Sequence, residues 1–443
     1  MPYLRSSRYG RETTSEGGAW RRWRSGALPL TRRSPPLSVD DMSSLGLALF
    51  EDRYVQDPYP LYAHMHREGP VHRIGDSGFF AVSSWDAVEE AVARPDDFSS
   101  NLTATMMYQP DGSISAFTIG EIGGDTQALA TADEPTHSLH RKMLLPHLAA
   151  KQIGGFERLV ADTANELWDN AFHDGSIEWM SAIANRLPMM IVARIIGVPD
   201  SDVDKLIRWG YAATQVVEGL VTDDQLAAAG VAVMELGAYI TEQFENALRD
   251  PHDDLMGDLA AARARDEISA TTALAMMATL FSAGGESTAS LLGSAAWLLA
   301  TRPDIQRQVR GNPAMLGAFI EEVLRYEPPF RGHYRHVVND TELFGVELPA
   351  GSRLLLLWGA ANRDPDHFDE PDDFRLDRPR GKNHIAFGKG AHFCVGAALA
   401  RMEARVVLDF LLRRTGFFTA SRTGEWLPSL LVRRLDRLDI VAE

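Results

Sequence analysis

The chain has 443 residues, enough for two or three ordinary domains, and its 45% hydrophobic and 24% charged residues are typical of a globular protein. Its formal net charge of −17 argues against nucleic acid and anionic membrane as partners. A single cysteine excludes an intramolecular disulfide and is consistent with a reducing cytoplasm.

The N-terminal segment differs in charge from the rest of the chain. Residues 1–40 contain eight arginines and only three acidic residues. The segment is rich in Gly, Ser, Thr and Pro, shows no periodicity, and has no apolar run of signal-peptide length after its arginines. We therefore predict that residues 1–41 form a disordered arginine-rich arm and that one folded domain spans 42–443, starting near Met42.

Helical spacing of apolar residues dominates from about residue 58 to residue 325. The predicted helices include 136–149, 153–172, 177–196, 200–219 and 223–249. Residues 71–83 read as a hairpin, and residues 333–355 alternate like strands. Residues 97–133 form a long connection without clear periodicity, and 364–386 are Asp/Pro-rich and irregular. This pattern predicts a mainly α fold with small β-sheets.

The segment 269–300 is long and apolar enough to require comparison with a membrane span. Glu286 lies at its centre, and a carboxylate in the middle of a bilayer costs about 2.5–3.5 kcal/mol or more. The segment is therefore predicted to be a buried core helix.

Two glycines, Gly284 and Gly285, interrupt this apolar segment, and Glu286, Ser287 and Thr288 follow them directly. Glycine inside a helix costs about 1 kcal/mol relative to alanine, which indicates close approach of another group or a local kink. Taken alone, the pattern is consistent with a polar catalytic group or with a helix-packing groove that contains a capped polar side chain.

The only cysteine, Cys394, follows a glycine-containing loop and precedes an apolar helix. A helix N-terminus stabilises a thiolate through its free N–H groups, and Gly396 would let a flat ligand lie close to the backbone. A thiolate beside a flat apolar surface is what a haem iron requires. Two other interpretations of Cys394 were considered. A zinc site would need about four ligands, and only His384 and His392 are near in sequence. A cysteine nucleophile would need a positioned base, for which His392 is the candidate.

The loop from Phe387 to Gly396 resembles the haem-binding loop of the cytochrome P-450 family, F-G-x-G-x-H-x-C-x-G, and the match continues through Arg401. Further matches follow in the family's order, including its E-x-x-R helix element at Glu322 and Arg325. The resemblance covers about residues 55–440 and is to bacterial soluble members; long stretches also resemble the mycobacterial family numbered 144. It implies the cytochrome P-450 fold, a triangular helical prism around a buried haem.

The resemblance also implies a cofactor, haem b (iron protoporphyrin IX), with the Cys394 thiolate as axial iron ligand. The residues that it assigns to cofactor binding are Cys394, His137, Arg141, Arg335, His392, Phe387, Gly388, Gly396, Ala283 and Gly284. The family's structural triad, which braces the cysteine loop, corresponds to Glu322, Arg325 and Arg378.

In this family the acid and the following alcohol of the central helix relay protons to dioxygen, and here they correspond to Glu286 and Ser287. The sequence departs from the family at the alcohol, which is most often threonine; threonine stands one place later, at Thr288. Serine keeps the hydroxyl but lacks the methyl group that restricts its rotamer. We expect weaker coupling of electron use to product formation, with more peroxide, and no change of reaction class.

The resemblance implies a monooxygenase that inserts one oxygen atom from dioxygen into an apolar small molecule. Its electrons would come from a ferredoxin or flavodoxin and an NAD(P)H-dependent reductase, because the chain contains no reductase module. Neither a nucleic acid partner nor a transmembrane anchor is expected, and the expected location is cytoplasmic. A peroxide-driven haem-thiolate enzyme and a haem-based ligand-binding or sensor protein are the alternatives. The plausible substrate-lining residues are Met106, Met107, Tyr108, Phe117, Val216, Val217 and Leu220.

Overall fold

The structure is a computed structural model that describes residues 42–122, 126–218, 220, 222–379 and 383–443. The predicted arm at residues 1–41 lies outside the described residues. The arm and the domain boundary after it therefore stay predictions.

Helices make up most of the described chain, as the sequence predicts. The α-helices are α1 Met42–Leu47, α2 Asp52–Gln56, α3 Tyr59–Glu68, α4 Trp85–Ala93, α5 Thr136–Leu144, α6 Ala150–Ala171, α7 Arg186–Ile196, α8 Val203–Gln215, α9 Asp223–Arg249, α10 Leu255–Ala264, α11 Ala270–Thr301, α12 Pro303–Gly311, α13 Leu316–Tyr326, α14 Trp358–Ala361 and α15 Ala397–Arg414. Several begin at side chains that satisfy free N–H groups: Ser269 accepts from Thr272 at the start of α11, and Thr222 and Gln225 form a capping box at α9.

The strands form small sheets at the periphery of the helices. They are β1 Val71–Arg73, β2 Phe79–Val82, β3 Phe98–Ser99, β4 Ala104–Tyr108, β5 Ile114–Thr118, β6 Ser176–Glu178, β7 His333–Val337, β8 Thr341–Leu343, β9 Val346–Leu348, β10 Arg353–Leu356, β11 Phe418–Thr423 and β12 Leu438–Ala442. A five-stranded sheet has the order β1-β2-β10-β7-β3, in which β10 runs parallel to β2 and the other neighbours are antiparallel. A three-stranded sheet has the order β11-β12-β6, and β4-β5 and β8-β9 are separate hairpins.

The long connection at 97–133 contains structure that the sequence pattern did not reveal. Its residues form β3 and the antiparallel hairpin β4-β5, which turns near Gly112 at a φ of 87°. Alternation is weak there because Met106 and Met107 are both apolar, although only Met106 is fully buried.

The predicted helix at 177–196 also begins differently. Residues Ser176–Glu178 pair with β12 as strand β6, and a π-helical turn at Met180–Ala184 leads into α7. Residues 176–178 form a strand because they pair with β12, which lies more than 250 residues away in the chain. No local sequence pattern indicates this pairing.

Helix α11 runs through the centre of the packing, which confirms the prediction of a buried core helix at 269–300. Its first half, up to Phe281, packs in one apolar cluster with α8, α9 and α10. Its second half, from Leu291, packs in another cluster with α6, α13 and α15. The polar segment around Glu286 lies where one cluster gives way to the other. Among the described helices, none combines the length and apolarity that crossing a membrane requires.

Candidate active site

Cys394 lies at the end of a loop that two glycines fold back on itself. Gly388 and Gly390 have φ values of 68° and 69°, in the left-handed region that favours glycine. The Cys394 N–H donates to the Phe387 carbonyl over 2.9 Å, and α15 begins three residues later at Ala397. The sulfur therefore lies just before the N-terminus of an 18-residue helix, as the sequence predicts.

The surroundings of the thiol fit a metal-bound thiolate. Burial raises the pKa of Cys394, whereas the backbone N–H groups of Gly396 and Ala397 lower it. A Cβ added to Gly396 would lie 3.9 Å from the sulfur, so glycine keeps this side of the thiol open. In the described part of the chain, no group of three or more His, Cys, Asp or Glu side chains is arranged to hold a metal ion.

The cysteine loop is braced by a charged cluster that sequence reasoning missed. Glu321 on α13 accepts two hydrogen bonds from Arg401 on α15, at 2.7 and 2.8 Å, and lies 3.1 Å from His384 Nε2. Burial alone would raise the pKa of Glu321, but the hydrogen bonds from His384 and Arg401 lower it to about 2. The guanidinium of Arg401 also lies 4.5 Å from the ring centroid of Phe387. These contacts fix both ends of the loop that carries Cys394.

The three residues of the expected structural triad meet in the structure. Arg325 donates to both carboxylate oxygens of Glu322, at 2.8 and 2.7 Å, and Arg378 Nε lies 3.3 Å from each oxygen. Arg325 is fully buried, and Glu322 is nearly so. The ion pairs join α13 to the irregular segment 364–379, which leads to the cysteine loop.

The expected cations at the edge of the haem site converge near the cysteine loop. The rings of His137 and His392 lie 3.9 Å apart, and Arg141 donates to the Phe393 carbonyl over 2.8 Å. Arg335 is 8% exposed and forms no ion pair within the described ranges, although the charge of Asp133 acts on its guanidinium from nearby. Burial lowers the pKa of Arg335 to about 10.

A buried guanidinium without a protein partner is costly, and an anionic ligand would satisfy it. His392 Nδ1 is likewise buried without a partner within the described chain. Because a haem carries two carboxylates at one edge, these unsatisfied donors fit a haem. The arrangement of Cys394, His392 and Arg335 thus agrees with the donor set that this cofactor needs.

One stripe of the central helix is accessible in the middle of the helix, where most neighbouring residues are buried. Ala283 is exposed, and Thr279 and Ser287, four residues to either side, are half-buried. Residues four apart lie on the same helical face, so Thr279, Ala283 and Ser287 form one accessible stripe. The Ser287 hydroxyl donates to the Ala283 carbonyl over 2.6 Å.

The two glycines of the helix lie against α7, although Gly284 is only half-buried. A Cβ on Gly284 would come within 2.8 Å of Val192 on α7, and one on Gly285 within 2.4 Å of Met189. The glycines therefore permit close packing of α7 against α11. Helix α11 continues without a break from Ala270 to Thr301, and the close approach of α7 is the reason for glycine that the structure supports.

Glu286 is buried and faces away from that open stripe. Its Oε1 lies 3.1 Å from Arg434 Nε, and its Oε2 has no hydrogen-bond partner among the described residues. Burial raises the pKa of Glu286, and the positive charge of Arg434 opposes that rise. Thr288, one residue after Ser287, is 5% exposed and does not share the open face.

Two charged residues near this site escaped the sequence analysis. Arg434 follows Arg433 at the end of an apolar run, and such a pair of arginines was the available signal. Glu218, just after α8, is 4% exposed and accepts weakly from the Leu431 N–H at 3.4 Å. Burial raises the pKa of Glu218 to about 8.

Comparisons with known proteins show which family the chain belongs to. The family model described as Cytochrome P450 matches residues 225–429. The chain is 63% identical to Cytochrome P450 144 of Mycobacterium tuberculosis, over 94% of this chain and 97% of that protein. It is 30% identical to Cytochrome P450 monooxygenase PikC of Streptomyces venezuelae, over 93% and 95%.

Solved structures show the same fold. Ligand-free CYP164A2 of Mycobacterium smegmatis aligns with a TM-score of 0.80 at 28% identity, covering 90% of this chain and all of that chain. Together with a cysteine loop, a buried triad and an open central helix in the expected positions, these similarities define the class of protein. The chain belongs to the cytochrome P450 family and is a haem monooxygenase.

Proposed function

We propose that this monooxygenase oxidises an apolar small molecule and takes its electrons from a separate ferredoxin or flavodoxin with an NAD(P)H-dependent reductase. The observation that carries the proposal is Cys394, held just before the N-terminus of α15 by a loop that Gly388 and Gly390 turn back on itself. Haem bound to such a thiolate supplies the activation of dioxygen and the transfer of one oxygen atom to a C–H or C=C bond.

The chain's own residues would hold the haem on three sides. We assign its iron to Cys394, its carboxylates to the donors at the loop edge, and its faces to small residues above and below. The assigned set is Cys394, Phe387, Gly388, Gly396, Ala283, Gly284, His137, Arg141, Arg335 and His392. The unpaired guanidinium of Arg335 supports this assignment independently of sequence similarity.

Proton delivery is the proposed task of Glu286 and Ser287. Ser287 Oγ lies on the open face of α11, where it can donate a proton. Its present hydrogen bond to the Ala283 carbonyl keeps the hydroxyl in one rotamer. Glu286 is enclosed beside Arg434, so it would move away from Arg434, take up a proton from solvent and pass that proton to Ser287.

The proposed substrate is apolar because several of the expected lining residues are apolar and pack together. Met106, Val217, Leu220 and Tyr334 belong to one hydrophobic cluster that the turn at 430–432 completes. Two similar proteins are consistent with a bulky apolar substrate by their names: a vitamin D(3) 25-hydroxylase of Pseudonocardia autotrophica, 29% identical, and CYP109E1 of Bacillus megaterium in complex with testosterone, 26% identical with a TM-score of 0.77.

A basic and partly apolar surface beside the cysteine loop fits the proposed electron donor. Arg141 and Lys142 on α5 lie next to exposed Leu145 and Phe393. An acidic ferredoxin or flavodoxin would be attracted to such a patch, although the whole chain is negatively charged.

The test is a two-stage experiment on the holoenzyme. A library of apolar molecules is screened by the shift of the Soret band, and the hits are incubated with NADPH and a surrogate ferredoxin and reductase. We expect product that contains one atom of labelled dioxygen. Product only with added peroxide would favour a peroxide-driven enzyme, and binding without product would favour a sensor.

A second measurement tests the ligand assignment directly. Cys394→Ser should abolish the red-shifted band of the reduced, CO-bound thiolate haem and weaken haem retention. A normal band in this variant would overturn the proposal.

A further inference from the structure

The C-terminal turn that follows residue 428 is attached to the central helix at two points. Arg434 Nε lies 3.1 Å from Glu286 Oε1, and the Ser290 hydroxyl donates to the Arg433 carbonyl. Glu286 and Ser290 are four residues apart, so both contacts lie on one face of α11. The turn thus binds the helix at the segment that carries the proposed proton relay.

The ion pair between Arg434 and Glu286 is buried but incompletely satisfied. Each side chain is about nine-tenths buried or more. The contact uses one nitrogen and one oxygen, and Glu286 Oε2 is buried without a hydrogen-bond partner in the described chain. The guanidinium of Arg434 also lies 4.3 Å from the ring centroid of Tyr211 on α8. A bidentate pair would be stronger and more rigid than this one.

We propose that Arg434 is a positioning residue for Glu286: it holds the acid in its charged form against the C-terminal turn and so controls when Glu286 can supply a proton to Ser287. This inference rests on the proposed role of Glu286 in proton delivery. Arg434 and Glu286 are 148 residues apart in the chain. The C-terminal turn therefore acts on the relay although it is not part of α11.

The groups that face Glu286 make Arg434 the decisive charge. The charged and titratable ones are Arg434 from the turn, Tyr211 from α8 and Glu218 from the segment after α8, and the uncharged hydroxyl of Thr214 on α8 also lowers the pKa of Glu286. Burial raises the pKa of Tyr211, which keeps the phenol neutral, and burial raises the pKa of Glu218 to about 8. Tyr211 and Glu218 therefore do not favour the charged form of Glu286, whereas Arg434 does.

The first experiment follows the protonation of Glu286 in the holoenzyme without turnover. Infrared difference spectra recorded against pH detect the carbonyl stretch of a protonated carboxyl group, and the signal missing in Glu286→Gln identifies this residue. Arg434→Met, which keeps the length of the side chain and removes its charge, should move that titration upward by at least one pH unit. Arg434→Lys should move it less.

The matched control is Arg433→Met, which removes a buried guanidinium from the same turn but breaks a pair with Glu327 at 2.8 Å. It should lower the melting temperature without moving the Glu286 titration. An unchanged titration in Arg434→Met, or an equal shift in Arg433→Met, would overturn the inference. If Arg434→Met yields no folded holoenzyme, Arg434→Gln is measured in its place with the same expected shift.

The second experiment separates this inference from the proposed relay. NADPH oxidation is driven by a surrogate ferredoxin and reductase without added substrate, and the fraction of electrons that ends in peroxide is measured. Glu286→Gln should raise the peroxide fraction. Arg434→Met should change the peroxide fraction when Glu286 is present, but the double variant Arg434→Met/Glu286→Gln should have the same peroxide fraction as Glu286→Gln alone. No effect of Glu286→Gln would refute the relay itself. An effect of Glu286→Gln with none of Arg434→Met, or with additive effects of the two, would refute only the role of Arg434.

Discussion

Replacement of Glu322 by glutamine should strongly destabilise the enzyme. Glu322 accepts from Arg325 at 2.7 and 2.8 Å, from Arg378 at 3.3 Å, and from the Arg375 N–H at 3.0 Å. Glutamine keeps the shape of the side chain but removes the charge. Two buried guanidinium groups, those of Arg325 and Arg378, would then lack a carboxylate.

The expected loss follows from burial. Removal of one partner from a buried ion pair typically costs about 3–5 kcal/mol. Arg325 would keep the carbonyls of Asn362, Pro371 and Asp373 as acceptors, at 2.7–3.0 Å. These remaining hydrogen bonds place the expected loss near the lower end, at about 3 kcal/mol, which is still a large part of the ~5–15 kcal/mol that stabilises a typical protein.

The assay is unfolding by urea, followed by the Soret band and by circular dichroism, together with the yield of soluble holoprotein. The matched control is Glu370→Gln in the same segment, because Glu370 is 63% exposed and pairs with a partly exposed Arg375. An exposed pair contributes about 0–1 kcal/mol. Equal stabilities of the two variants, within 1 kcal/mol, would refute the view that the triad braces the cysteine loop.

Three further predictions address the site. Ser287→Ala should lower product per NADPH and raise peroxide, since an acid–base relay contributes about 10²–10⁴-fold to a step. Thr288→Ala should have little effect because Thr288 lies off the open face. If only Thr288→Ala uncouples the enzyme, Thr288 and not Ser287 is the alcohol of the relay. Arg335→Gln should speed transfer of haem to an apoprotein acceptor at least tenfold, and unchanged transfer would contradict its assignment to a haem carboxylate. Burial raises the pKa of Glu218 from 4.5 to about 8, so the folded state binds the extra proton between these values and wild-type stability falls with rising pH. Relative to Glu218→Gln, the wild type should lose about 1.4 kcal/mol per pH unit across that window and remain level above it, and parallel melting curves from pH 5 to 8 would show that Glu218 ionises normally.

The features that could be read from the sequence depend on neighbouring residues. The cysteine loop needs glycine where φ is positive and a helix directly after Cys394, and both requirements are met within ten residues. Glu322 and Arg325 meet because three residues make nearly one helical turn. The burial of α11 follows from its continuous apolar composition. The cofactor and the reaction class were predicted from the similarity to the family and not from these local patterns.

Other features depended on contacts between distant parts of the chain. Strand β6 forms because β12 lies beside it, and Glu321 is satisfied by Arg401 and His384, which are 80 and 63 residues away. A hydrophobic period shows which face of an element is buried, but not which element covers it.

The central helix shows this division within a few residues. The sequence alone identified Glu286 and Ser287 as the polar groups of an apolar helix, because composition and spacing are local properties. Only the tertiary structure decided that Ser287 faces the open stripe and that Gly284 and Gly285 admit α7. Only the folded chain brought Arg434 to Glu286, because a charge pair is set by the path of the backbone between its partners, and that path covers 148 residues.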